Sequence, residues 1–224
     1  MSVSLSIRVP KELYIKDPET TDLGKMIVSR SIPLMLELGF DKFTFKKLGA
    51  QIKSPEASVY RYFSSKHQLL NYLTAWYWNW LTYLLLDRTR PITDPKKRLK
   101  AALTVLLDAG KMDISIPHVD ESLLHKVILR EGAKAESDGE EKGSMREVLV
   151  AGHEIFCEEF AKVIRAYKKS YPHPKALVVS LTVVAHRLIF MAENSPTSIE
   201  LKTPRNDHTA ILKFLEHLLF AELA

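Results

Sequence analysis

The residues best suited to bind a charged ligand lie close together between positions 54 and 70, where the sequence reads SPEASVYRYFSSKHQLL. Tyr60 and Arg61 are neighbours in this stretch, and Lys66 follows shortly after them. A tyrosine hydroxyl, a guanidinium and an ammonium group are all hydrogen-bond donors that suit phosphate oxygens. The stretch therefore has the chemistry of a surface that binds a phosphate backbone.

The positive charge of the chain is concentrated around the same stretch. The formal net charge is +5, and positions 41–67 alone contribute +4. Such local basic charge is the electrostatic footprint of a nucleic-acid-binding surface, although a solvated basic face is the alternative. The contributing residues are Lys42, Lys46, Lys47, Lys53, Arg61 and Lys66, against Asp41 and Glu56.

The spacing of apolar residues and of helix caps predicts the helices that position these side chains. A first helix begins near residues 20–22 and runs to about residue 38, with Pro33 kinking it and Gly39 ending it. Thr44 then caps a short helix whose apolar residues recur at helical spacing up to Ile52. The turn that follows contains Lys53.

A second short helix and a long helix follow this turn. With Ser54 as its cap, Pro55 is the first residue of a helix that runs to about Phe63. Ser65 and Gln68 then have the spacing of a capping box, which opens a long helix that runs to about residue 87. Two short helices joined by a tight turn, with a helix in front, form a helix-turn-helix unit.

In a helix-turn-helix unit the second helix of the pair enters the major groove of DNA and its first residues reach base edges. Val59 and Phe63 are four residues apart and are predicted to share a buried face. Tyr60 and Arg61 are then directed towards solvent or a partner. The small residues expected to face the bases are Pro55, Glu56, Ala57 and Ser58.

The segment from Thr20 to Leu70 resembles the DNA-binding domain of the TetR family of bacterial transcriptional regulators. The spacing of Tyr60, Phe63 and Lys66, with Thr44 upstream, is specific in combination. The residues that carry the resemblance are Leu38-Gly39-Phe40, Phe43-Thr44, Leu48, Ser58-Val59-Tyr60-Arg61-Tyr62-Phe63, Ser65-Lys66 and Leu69. A helical hairpin without a DNA role is the alternative interpretation of this unit.

The resemblance implies roles for individual residues. Thr44 would cap the first helix of the pair and touch phosphate, and Tyr60 and Lys66 would also bind phosphates. Lys53 and Glu56 depart from the family pattern. Lys53 stands where the family often has a glycine in the turn, which predicts a different turn or a strained residue. Glu56 places an acid at the groove-facing end, where it would accept from a cytosine amino group or repel phosphate. The full predicted DNA-binding set is Thr44, Lys46, Pro55, Glu56, Ala57, Ser58, Tyr60, Arg61 and Lys66.

The whole chain is predicted to be all-α. Residues 1–19 form an N-terminal arm, residues 20–70 form the DNA-binding domain with a connecting helix to about 87, and residues 88–224 form a larger helical domain. Helices are expected near 94–112, 118–134, 143–170, 174–193 and 207–223, with an acidic loop at 136–143. The resemblance implies that the larger domain binds a small effector and forms a homodimer through its last two helices.

Two apolar stripes agree with dimerisation, although each also suits an intramolecular core. One stripe comprises Leu177, Leu181, Val184, Leu188 and Met191, and the other comprises Ile211, Phe214, Leu215, Leu218 and Leu219.

The effector-binding residues are not identifiable from the sequence. Tyr77 and Trp80 are candidates for lining a cavity. The polar residues within apolar helices are more often satisfied core or surface residues than ligand contacts. They are His118, His125, His153, His186 and Arg187.

Other classes of protein find little support. His153 and Cys157 have the spacing of half a zinc site, but no second cysteine exists, and the pairing is better explained by chance. The sequence contains no glycine-rich phosphate loop, nucleophile elbow or paired-carboxylate motif, and the single cysteine suits a reducing compartment. The N-terminal sequence lacks the pattern of a signal peptide, and the longest apolar runs carry polar residues that fit buried helices.

We therefore predict a cytoplasmic, ligand-responsive transcriptional regulator, a repressor, that binds a palindromic operator in double-stranded DNA as a homodimer. Its two groove-entering helices would lie about 34 Å apart, one turn of B-DNA. No catalytic residue, cofactor, metal or membrane contact is expected. The first alternative is a helical enzyme or a carrier of lipid-like ligands with a vestigial DNA-binding domain. The second is a metal-sensing regulator that uses His153 and Cys157.

Overall fold

The computed structural model describes residues 7–108, 116, 118–137, 144–195, 199–201 and 207–224. The secondary structure of this part of the chain is helical, and it contains no strand. This confirms the predicted all-α class. The chain divides into two compact units, one made of residues 1–80 and 110–153, the other of residues 81–109 and 154–224. The second part of the predicted acidic loop lies outside the described residues.

The observed α-helices lie close to the predicted ranges. In chain order they are α1 Asp22–Leu38, α2 Phe45–Gln51, α3 Glu56–Tyr60, α4 Lys66–Thr89, α5 Pro95–Asp108, α6 Glu121–Ser137, α7 Ser144–Tyr167, α8 Pro174–Asn194 and α9 Thr209–Glu222. Two short 3₁₀ helices, Lys11–Leu13 and Pro18–Thr20, precede α1.

Side-chain caps fix the start of three of the first four helices, namely α1, α2 and α4. Thr21 accepts a hydrogen bond from the amide of Gly24 at 3.0 Å, and Thr44 accepts one from the amide of Lys47 at 3.3 Å. Ser65 accepts from the amide of Gln68 at 3.0 Å, which is one half of the predicted capping box. In the other half, the Gln68 side chain accepts from the amide of Ser64 rather than from that of Ser65. Each cap satisfies an N–H group that has no partner inside its helix.

The first unit is built around the N-terminal part of α4. Every residue from 68 to 78 is buried, including the polar residues Gln68, Asn71 and Thr74, so this part of α4 lies in the core. α1 packs against α2 and α6, and α2 packs against α3. The largest side chains of the core include Trp76, Trp80, Tyr72 and Tyr77, all of them less than 2% exposed.

The second unit contains α5 packed against α8 and α9, which also pack against each other. Ile211, Leu215 and Leu219 are fully buried in it, whereas Phe214 and Leu218 are each 38% exposed. The predicted stripe on α9 is therefore divided between a buried face and an exposed face.

Helix α8 is the most apolar of the long helices. By length and composition alone it is able to cross a membrane. Its most apolar stretch of 18 residues has a mean hydropathy of 1.7, and 28% of that stretch is buried. Of the stripe predicted on this helix, Leu181 is buried, so it belongs to the core of its own unit. The other residues of this stripe are half-buried. The large apolar side chains that α8 exposes are Val179 and Val183.

Candidate nucleic-acid interface

The turn between α2 and α3 is tight because of two residues with special backbone requirements. Gly49 lies so close to the turn that an added Cβ would stand 2.7 Å from the carbonyl oxygen of Ser54. The amide of Ser54 in turn donates to the carbonyl of Gly49 at 2.9 Å. Lys53 has a φ of +52°, in the left-handed region that glycine adopts without strain. The strained residue predicted at Lys53 is thus confirmed.

Helix α3 is shorter than predicted. It begins at Glu56 and ends at Tyr60, and Pro55 is its cap rather than its first residue. No side chain caps α3, so the prediction that Ser54 does so is wrong. The fixed φ of proline places Pro55 in extended backbone just before the helix, where its missing N–H leaves no donor unsatisfied.

The chain turns tightly after α3, since the amides of Tyr62 and Phe63 both donate to the carbonyl of Val59. Val59 and Phe63 are fully buried, as the sequence predicts.

The residues predicted to face DNA bases differ in exposure. Pro55 and Ala57 are exposed, and Glu56 is half-buried. Ser58, in contrast, is only 5% exposed, and its hydroxyl accepts a hydrogen bond from the guanidinium of Arg61 at 3.2 Å. The side chain of Ser58 therefore positions Arg61, while Pro55 and Ala57 present a small, open surface.

Tyr60 and Arg61 are both exposed, as predicted. The ring of Tyr60 packs edge-on against the ring of Phe45 from α2, with 5.0 Å between the ring centroids, and 47% of the residue remains exposed. This contact holds the ring while its outer part remains at the surface. The guanidinium of Arg61 has five N–H donors, so its bond to Ser58 leaves donors for another partner.

The N-terminal end of α2 contributes further polar and basic groups. The cap residue Thr44 and the lysines Lys46 and Lys47 are exposed there. The ammonium group of Lys47 donates to the carbonyl of Lys42 at 2.8 Å, which fixes that side chain against the loop before α2. Backbone N–H groups at the start of a helix attract anions, so this end of α2 combines a cap, a helix terminus and three lysines.

Lys66, the first residue of α4, is held in place by the turn after α1. Its ammonium group donates to the carbonyls of Phe40 at 3.0 Å and Asp41 at 3.1 Å, and lies 4.6 Å from the centroid of the Phe40 ring. An ammonium group has three donors, so one remains for a phosphate oxygen. Lys66 thus has a structural role at this turn, and its contact with phosphate stays a prediction.

Helix α6 holds the same turn through two side chains that the sequence analysis did not single out. The carboxylate of Glu131 accepts from the amide of Phe40 at 3.2 Å, and Lys134 binds the carboxylate of Asp41 at 3.0 Å. The hydrogen bond from Lys134 lowers the pKa of Asp41, and the pKa of Lys134 is raised in return. These pairs are about ninety positions apart in sequence, so no local pattern indicates them.

Several of the side chains considered for other functions are buried or lie against other side chains. Tyr77 and Trp80 are almost completely buried, and the Tyr77 hydroxyl lies 2.8 Å from Nδ1 of His125. His118 lies 3.0 Å from the carboxylate of Glu19. Burial raises the pKa of the Cys157 thiol to about 11. Within the described residues, no group of three or more His, Cys, Asp or Glu side chains is placed to hold a metal ion.

Comparison with known families identifies the same part of the chain. Residues 27–73 match the family model described as bacterial regulatory proteins, tetR family. The matched residues include most of α1, all of α2 and α3, and the first residues of α4, and so contain nearly all of the surface described above. No curated protein matches the sequence.

Several solved structures share the fold. The structure of AibR in complex with isovaleryl coenzyme A and operator DNA is 15% identical, with a TM-score of 0.63 over 88% of this chain and 98% of that chain. The superantigen PfiT is 15% identical, with a TM-score of 0.62 over 92% and 97%. The fatty acid degradation regulator FadR from Bacillus halodurans is 14% identical, with a TM-score of 0.60 over 87% and 96%. At these identities the likeness concerns the fold.

Proposed function

We propose that this protein, a member of the TetR family of bacterial regulatory proteins, is a ligand-responsive transcriptional repressor that binds a palindromic operator as a homodimer. The observation that carries the proposal is the open first turn of α3, with Pro55 and Ala57 exposed and with Tyr60 and Arg61 beside it. This surface lies in residues 41–67, which have a formal charge of +4. The domain division proposed with it is residues 20–70 for DNA binding and residues 88–224 for effector binding and dimerisation.

In the proposed complex, the first turn of α3 enters the major groove. Small side chains at Pro55 and Ala57 let the backbone approach the bases closely, and Glu56 accepts a hydrogen bond from a cytosine amino group. Because Ser58 is buried and bound to Arg61, it contributes by orienting the guanidinium towards the duplex.

Phosphates on either side of the groove are bound by the surrounding donors. Tyr60 and Arg61 supply a hydroxyl and a guanidinium at the end of α3, and Lys66 supplies its third N–H from the start of α4. Thr44 and Lys46 supply the corresponding contacts at the start of α2. Each lysine or arginine that neutralises a phosphate steepens the salt dependence of binding by about 0.9 in log K against log salt.

The exposed apolar residues of the second unit support the homodimer. α8 exposes Val179 and Val183, at 39% and 62%, and α9 exposes Phe214 and Leu218. In both helices these residues are spaced by four, so they lie on one face. A second copy of the same two helices would cover both faces in a symmetric bundle, which also accounts for an apolar α8 that is only partly buried in its own chain.

The proposed effector is a small molecule bound in the larger helical domain. AibR, which has the same fold, was crystallised with isovaleryl coenzyme A, and FadR is a regulator of fatty acid degradation. Acyl-coenzyme A thioesters are therefore the first compounds to test for release of this protein from DNA. The proposal includes a cytoplasmic location and no enzymatic activity, cofactor or membrane contact.

Selection of bound duplexes from random DNA tests the proposal. A homodimer with two groove-entering helices selects inverted repeats whose half-sites are separated by about one helical turn. The alternative, a helical enzyme or lipid-like ligand carrier with a vestigial DNA-binding domain, predicts that no sequence is enriched. Enrichment of a single unrepeated site would support DNA binding and contradict the symmetric dimer.

A further inference from the structure

The N-terminal arm carries a feature that lies outside the residues matched by the family model. We propose that Lys16, in this arm, binds a phosphate of the same duplex that α3 enters and so extends the DNA interface. This inference rests on the proposed function. It concerns a residue to which neither the sequence pattern nor the family match assigns a role.

The arm is fixed to the first unit by packing. Leu13 is completely buried and Pro18 is also buried. Gly24, in the first turn of α1, lies so close to Pro18 that an added Cβ would stand 2.3 Å from the Pro18 carbonyl oxygen. The segment between Leu13 and α1 therefore has a defined position on the protein surface.

This segment is joined to the end of the groove-entering region by Tyr62. The amide of Ile15 donates to the carbonyl of Tyr62 at 2.8 Å. The Tyr62 hydroxyl lies 2.7 Å from the hydroxyl of Thr21, the residue that caps α1. The ammonium group of Lys16 lies 5.3 Å from the centroid of the Tyr62 ring. Lys16 is thus held beside the residue that directly follows Arg61 in the chain.

The charge of Lys16 is available to a partner. The residue is exposed, and no carboxylate in the described ranges forms an ion pair with it. A cation–π contact over an aromatic ring is worth only about 0.5–1 kcal/mol at an exposed site, whereas a phosphate offers a full negative charge. A helix in the major groove has phosphates on both flanks, and a lysine fixed beside the end of α3 is placed to neutralise one of them.

The test compares the salt dependence of DNA affinity for the wild-type protein and for Lys16→Gln. The duplex selected from random DNA and an unrelated duplex serve as probes. Loss of one phosphate contact is expected to reduce the slope of log K against log salt by about 0.9 and to weaken binding to both duplexes by the same factor. Lys16→Arg keeps the charge and is expected to keep the slope.

The matched control is Lys169→Gln, which removes the same charge at an exposed position in the second unit. Its slope is expected to equal that of the wild type. Equal slopes for Lys16→Gln and the wild type, with wild-type selectivity intact, would overturn this inference and leave the proposed function standing. Absence of selective binding by the wild type would overturn both. Thermal unfolding of each variant checks that the fold is retained.

Discussion

Replacing Gly49 by alanine tests whether the turn between α2 and α3 determines how α3 is presented. Inside a helix, alanine is more favourable than glycine by about 1 kcal/mol. At Gly49, however, the new Cβ would stand 2.7 Å from the carbonyl oxygen of Ser54, and that oxygen belongs to the backbone of the turn. The turn must therefore move, and overpacking of this kind costs about 1–3 kcal/mol.

The same movement strains the hydrogen bond from the Ser54 amide to the Gly49 carbonyl, worth about 1 kcal/mol. The opposing contributions leave a net destabilisation of about 1–3 kcal/mol. For a chain of this size that lowers the melting temperature by about 2–4 °C per kcal/mol. We also expect DNA affinity to fall, because α3 is displaced relative to α2.

The matched control is Gly152→Ala in α7, the same substitution at a position with room. There the nearest heavy atoms lie 3.5 Å from the added Cβ, which is ordinary van der Waals contact. This variant is expected to be more stable than the wild type by about 0.5–1 kcal/mol. The reasoning about the turn would be refuted if thermal unfolding showed Gly49→Ala to be stabilised by the same amount with unchanged DNA affinity.

Three further predictions concern single residues. Lys53→Gly removes the cost of holding a non-glycine residue in the left-handed region, about 1–2 kcal/mol, and adds the entropy cost of a glycine, about 0.5–1 kcal/mol. Urea unfolding should therefore show a small gain in stability. A loss of stability would contradict the strain at φ +52°. Because Lys134 lowers the pKa of Asp41, the stability from this contact is complete above the ordinary value of 3.8 and is lost as the pH falls through the lowered value. The melting temperature of Asp41→Asn should therefore fall less steeply than that of the wild type as the pH is lowered. An equally steep fall in both proteins would contradict the contact. Burial raises the pKa of the Cys157 thiol to about 11 and leaves the residue 4% exposed. The smaller thiolate fraction is partly offset by the greater nucleophilicity of a thiolate with a higher pKa, so the thiol should react with a disulfide reagent at least about 10-fold more slowly in the native than in the unfolded protein. Similar rates would show that the thiol is accessible.

The sequence was sufficient for the helical order and for the caps of α2 and α4, although not for the cap of α3, because these features depend on neighbouring residues. Thr44 caps α2 and Ser65 caps α4 as expected, since a side-chain cap reaches only two or three positions along the chain. The departure at Lys53 also predicted a backbone feature correctly, because the left-handed region constrains residue type at a single position.

The positions that the sequence did not predict depend on contacts between distant parts of the chain. Nothing near Ser58 indicates that it is buried, since burial depends on how α3 lies against the remainder of the first unit. The bonds of Glu131 and Lys134 to the turn after α1 likewise join residues that only the folded chain brings together. Helix α8 shows the same limit: the spacing of its apolar residues left open whether the stripe lies in the core or at a dimer contact, and only the packing shows that Leu181 is buried while Val179 and Val183 are exposed.

The measurement that tests the central claim most directly is the DNA affinity of Ala57→Glu. Ala57 is exposed on the first turn of α3, so the substitution leaves the core untouched while it places an acid where the groove should be. Like charges brought together in an interface cost several kcal/mol, so we expect at least about 100-fold weaker binding to the selected duplex with an unchanged melting temperature. The control Ala166→Glu, at an exposed position near the end of α7, should bind as the wild type does. If Ala57→Glu binds the selected duplex with wild-type affinity, α3 does not enter the groove.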